Sequence, residues 1–121
     1  MQKTSLTPLA RQHLKTARQA PSGRSAHTVY GGHEHVLRQT LIAIAAGQSP
    51  DEHESPGEAT LQVLHGRVRL STRDTSWDGA PGDHLVIPVD RHGLTALEDC
   101  AVLLTVAIGS SSLLRSPAPP A

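Results

Sequence analysis

The chain has 121 residues with 11 Lys+Arg, 11 Asp+Glu and 8 His, so its formal net charge is zero, which supports one domain and gives no general pull toward nucleic acid or a membrane surface. Tyr30 and Trp77 are its only aromatics, too few for a base-stacking platform, and no apolar run approaches the roughly 20 residues of a membrane span. Cys100 is the lone cysteine, which excludes an intrachain disulfide and a cysteine-built zinc site and predicts a reduced, soluble, cytoplasmic protein.

Charge is segregated along the chain. Residues 1–33 carry Lys3, Arg11, Lys15, Arg18 and Arg24 with no acid, whereas residues 34–121 carry six basic and eleven acidic groups. Three parts are expected: a basic arm or helix over 1–28, a β-domain over 29–108 and a disordered tail over 109–121. In the arm, Thr7 can cap a helix and Pro8 suits its first position. Leu6, Ala10, Leu14 and Ala17 then recur at helical spacing, and Pro21-Ser22-Gly23 ends the run. The apolar stripe is thin. A basic, acid-free start with Ser and Thr also has the character of an organellar transit peptide. The favoured reading is a short helix packed on the body or on a partner subunit.

From Tyr30 onward the chain reads as strands. Val36 to Ala46 is rich in Leu, Ile and Ala. Ala59, Leu61 and Val63 alternate with Thr60 and Gln62, as in a strand buried mainly on one face. His65-Gly66 predicts a hairpin, since Gly accepts positive φ. Arg67 and Arg69 then alternate with Val68 and Leu70 and fall on an outer face. Gly79 to Asp83 is a turn, and Leu85 to Ile87 a short buried strand ending at Pro88. Leu94 to Leu97 and Cys100 to Ala107 complete about eight strands. That count at short spacing predicts an all-β sandwich or barrel of the jelly-roll type. Gly109 to Ala121 is mostly Ser, Pro and Ala, too apolar-poor to offset its chain entropy.

Two segments carry the chemistry. Gly47 to Gly66 reads GQSPDEHESPGEATLQVLHG, and Gly82 to Pro88 reads GDHLVIP, with His92 beyond it. Their order and gaps resemble the two motifs of the cupin family, G-x5-H-x-H-x3,4-E-x6-G and G-x5-P-x-G-x2-H, over about residues 37–107. The resemblance implies a small single-domain, cupin 2-type jelly-roll β-barrel with a short N-terminal helix. It also implies a divalent metal inside the barrel, held by the histidines and glutamate of the first motif and the histidine of the second. The metal set is degenerate here. His53 and His92 match, His92 one residue early. Ser55 replaces the second histidine. Counting back from Gly66, the glutamate position falls on Ala59, with Glu58 one residue away and so on the opposite face of a regular strand unless a bulge intervenes.

The candidate metal residues are therefore His53, His92 and Glu58, for Fe, Mn, Ni or Zn. Two imidazoles alone are a poor site for such a dication. His33 and His35, two apart on a strand, would add donors if that strand lines the same cavity, and Asp51, Glu52 and Glu54 flank His53. His13, His27, His65 and His84 read as structural, and Cys100 as an inert buried thiol. Three functions follow. The first is a small molecule or divalent metal held in the barrel, its identity not readable. The second, permitted by the resemblance, is a metal-dependent enzyme of dioxygenase or isomerase type. The third, a regulatory or DNA-associated role for the basic arm, lacks a helix-turn-helix pair and ranks last. The resemblance and the unpaired strand edges of a small barrel imply a homodimer.

Overall fold

The structure is a computed structural model describing residues 2–50, 52 and 57–108. The expected tail, 109–121, lies outside the described residues. Among the described residues one helix precedes eight strands: α1 (Leu6–Gln19), β1 (Arg24–Tyr30), β2 (Leu37–Ile44), β3 (Gly57–His65), β4 (Val68–Ser71), β5 (Ser76–Gly79), β6 (His84–Ile87), β7 (Gly93–Ala96) and β8 (Cys100–Ile108). The strands form a five-stranded sheet, ordered β1-β2-β8-β3-β6, and a three-stranded sheet, ordered β5-β4-β7. Every strand pair is antiparallel. Two antiparallel sheets closing on one apolar interior make a jelly roll, as the strand count and spacing predicted.

Strand alternation builds that interior. Ile44, Leu61, Val63, Val68, Leu70, Ile87, Val102 and Val106 are buried in one cluster between the sheets. In β2 and β8 the intervening residues are buried too. Leu41, Ala43 and Ala101 face outward, and α1 covers them with Ala10, Leu14 and Ala17. Coverage on both faces explains why β2 reads as a continuous apolar run. The helix therefore packs on its own barrel. Truncating Leu14, which is 4% exposed, to Ala should destabilise the protein by about 2–5 kcal/mol.

Four local readings are corrected. The helix begins at Leu6 with Ser5 as its N-cap residue and no side-chain capping bond, so Thr7 lies inside the first turn. Strand pairing begins at Arg24, opposite Ile44, well before Tyr30. His33 and His35 are exposed in the turn joining β1 to β2, not on a strand. Lastly, β3 and β4 belong to different sheets, so His65-Gly66 is a crossing between sheets rather than a hairpin. Gly66 has φ 74°, and a Cβ there would collide with the Asp99 carbonyl. The turn needs glycine for both reasons.

Candidate functional site

A cavity of about 430 Å³ lies between the two sheets. Its deep walls are Ile44, Leu61, Leu70 and Ile87, all buried, with half-buried Ile42, Leu94 and Leu104 beside them. Its rim is formed by the start of β1, Arg24 to Ala26, and by Pro50. Pockets of this size that take small ligands are mostly apolar with a few placed polar groups. Here the deep polar group is His92, 5% exposed.

The loop from β6 to β7 presents His92. Its Nδ1 lies 3.1 Å from the Asp90 carbonyl oxygen. A carbonyl only accepts, so Nδ1 carries the proton of this bond, and in the neutral ring the lone pair falls on Nε2. The chain after β2 runs back along β7. Gly47 N–H donates to the Ala96 carbonyl, and the Ser49 and Thr95 hydroxyls are 2.7 Å apart. Glu52 then reaches the neighbours of His92: its carboxylate is 3.5 Å from Arg91 Nε, and its side chain lies against Gly93. His53 follows Glu52 in sequence and lies outside the described residues, as do Asp51, Glu54 and Ser55.

Glu58 is exposed, and it does not join this cavity. Its neighbour Ala59 is buried with the interior cluster alongside Leu61 and Val63. The β3–β8 register is continuous from Gly57↔Ile108 to Val63↔Val102, and the only irregularity falls between Val63 and His65. A bulge that would turn Glu58 inward is therefore absent where it would be needed. His33 and His35 sit beyond the far end of β1, about five or more residues from the rim at roughly 3.3 Å each. His35 packs its ring 5.3 Å from Tyr30 instead. His65 and His84 are exposed. His13 joins α1 to β1 through Ser25, with Nδ1 2.6 Å from the hydroxyl, and lies 5.4 Å from the His27 ring.

Among the described residues no three His, Cys, Asp or Glu side chains are placed to hold a metal ion. The position that the motif assigns to glutamate holds a buried methyl group in the interior cluster, and the deep wall of the cavity is aliphatic apart from His92. The donors among the described residues do not by themselves fit a divalent ion. Cys100 is buried, and desolvation pushes its thiol up to about 11, in keeping with an inert thiol.

Arg24 escaped the sequence reading. Counted with the arm, it stands instead at the cavity rim, because β1 pairs with β2 and sets Arg24 opposite the inward-facing Ile44. The alternation of Arg24, Ala26 and Thr28 with Ser25, His27 and Val29 was the available signal.

The fold has many solved counterparts. A conserved protein of unknown function from Streptococcus pyogenes superposes with a TM-score of 0.65 at 26% identity, over 74% of this chain and 77% of that one. An RmlC-like cupin protein from Desulfovibrio desulfuricans superposes with a TM-score of 0.61 at 26% identity, over 69% and 81%. This chain has the fold of the small cupins it resembles. A mutant of the salicylate 1,2-dioxygenase from Pseudoaminobacter salicylatoxidans contains the same cupin fold. It matches with a TM-score of 0.72 at 17% identity over 93% of this chain but 37% of that one. No family model matches the chain, and no curated protein matches it.

Proposed function

We propose that this protein binds a small, predominantly apolar molecule in the barrel, with His92 as its deep polar contact. The observation that carries the reading is the wall itself: four buried aliphatic side chains around one imidazole, with Ala59 among the interior residues at the motif's glutamate position. A dication needs anionic or multiple neutral donors to replace its hydration shell. An apolar ligand needs only dry surface, which contributes about 25 cal/mol per Å² buried.

The test is metal analysis and native mass spectrometry on protein purified without an affinity tag. The expected result is no stoichiometric metal, together with saturable uptake of apolar probes that weakens when Leu61 is enlarged to Trp. Stoichiometric Fe, Mn, Ni or Zn that disappears in a His53→Ala, His92→Ala double variant would overturn this reading in favour of a metal-dependent enzyme. A homodimer belongs to the same proposal, supported by the sheet edges β1, β5 and β6, which are unpaired among the described residues, and by exposed Val86 and Val89. Light scattering at micromolar concentration should give twice the chain mass.

A further inference from the structure

We infer that the ligand is a monoanionic amphiphile, such as a small carboxylic acid, whose tail fills the cavity and whose carboxylate stays at the rim against Arg24. This rests on the apolar-cavity reading above and adds to it the charge and orientation of the ligand. Arg24 is the only charged side chain lining the cavity among the described residues. It is exposed, and no carboxylate lies within ion-pair range of it among those residues. Arg18, Arg69 and Arg91, by contrast, are committed to Asp99, Asp78 and Glu52.

Orientation follows from solvation. An ionised carboxylate carried to the aliphatic floor would lose its water without a cationic partner, which is strongly unfavourable. At the rim it keeps part of its hydration and meets a guanidinium fork that matches its two oxygens. A smaller polar recess of about 100 Å³ adjoins the rim and shares Arg24 and Pro50 with the cavity. Ser22, Gln48 and Ser49 line it and offer further donors to an anionic head group. The Glu52 carboxylate, which would repel an anion, is balanced by Arg91.

The test uses three probes with one tail and different heads: octanoate, octanol and octylammonium, titrated into the full chain by calorimetry at low salt. Octanoate should bind roughly ten-fold tighter than octanol, the scale of one charge-assisted hydrogen-bonded contact. The advantage should shrink as salt rises, because the contact is exposed. Arg24→Gln should abolish the preference for octanoate over octanol, and Arg24→Lys should restore part of it. Octanol and octanoate binding equally well, a preference that survives Arg24→Gln, or octylammonium binding best would each overturn the inference while leaving the apolar cavity standing. Failure of all three probes would sink the cavity reading and this one with it. The octanoate-to-octanol ratio and its salt dependence are read on the unaltered protein, so the result does not depend on the variants folding.

Discussion

Replacing Ala59 with Glu, beside a control of Glu58→Gln, asks which of two adjacent residues looks into the barrel. Ala59 is 6% exposed and lies between Val106 of β8 and Ile87 of β6, both buried. A carboxyl group placed there loses nearly all its water and finds no cation among the described residues, which raises the pKa of a fully buried acid by up to about 3–5 units. At about 1.36 kcal/mol per unit, the charged form is destabilised by roughly 4–7 kcal/mol. That is a large share of the 5–15 kcal/mol that holds a typical domain together. The folded state of this variant binds the extra proton more tightly than the unfolded chain does. Its penalty is therefore absent below about pH 4 and grows with pH until the raised folded pKa is passed. Urea unfolding at several values between pH 4.5 and 8 should show Ala59→Glu losing stability steadily relative to wild type. Ala59→Gln should show a smaller, pH-independent loss, and Glu58→Gln should stay within about 0.5 kcal/mol of wild type. If Ala59→Glu matches wild type across that range, or Glu58→Gln is the damaging change, the assignment of faces on β3 is wrong and the apolar wall with it.

Gly66→Ala should cost more than about 2 kcal/mol, from the left-handed backbone together with the clash on the Asp99 carbonyl, and a melt close to wild type would contradict that. The Asp99 carboxyl is held below the usual range by the Ala46 N–H and by Arg18. The stability it contributes is present above about pH 4 and is lost as pH falls through its depressed folded pKa. Asp99→Asn should accordingly flatten the acid limb of the stability profile, and an unchanged limb would show that the contact carries no linkage. Cys100, with its thiol near 11, should be about 0.1% thiolate at pH 8, so a disulfide reagent should label it slowly in the native protein and quickly in denaturant. Rapid native labelling would show that β8 opens far more readily than its burial implies.

Much of this fold is legible in the chain because strand alternation and turn glycines are local signals. The Gly82-to-Pro88 segment forms a turn with Gly82 at φ 93° followed by β6, as its residues suggest. Parity along β3 is also local: with a period of two, Glu58 and Ala59 must part company, and the one irregularity on that strand lies past Val63 and leaves their faces unchanged. What a local reading misses is partnership. His65-Gly66 looks like a hairpin because hairpin glycines and crossing glycines share the same positive φ, and only the pairing of β3 with β8 and β6 distinguishes them. Arg24 looks like part of a basic arm because its role depends on a strand partner twenty residues away in sequence. His33 and His35 have strand spacing, but two glycines before them, Gly31 and Gly32, adopt positive φ and turn the chain.

The replacement of one carboxylate by a methyl group alters what the barrel can hold through simple electrostatics. A glutamate inside a dry cage is tolerated when a cation offsets it, and the cation is tolerated because the glutamate is there. With Ala59 in its place the described interior offers a dication no carboxylate, and its wall is aliphatic apart from the imidazole of His92. Charge recognition is not lost; it moves outward to Arg24, where water still solvates both partners and the interaction is weak enough for release. A cavity that is dry inside and cationic at its rim discriminates by head group at the mouth and by shape within, so the two contributions should separate. Enlarging Leu61 should weaken octanol and octanoate by the same factor, whereas changing Arg24 should reduce the ratio between them. If the two substitutions instead act on the same probe in a non-additive way, head and tail do not occupy independent places and the orientation argued from Arg24 fails.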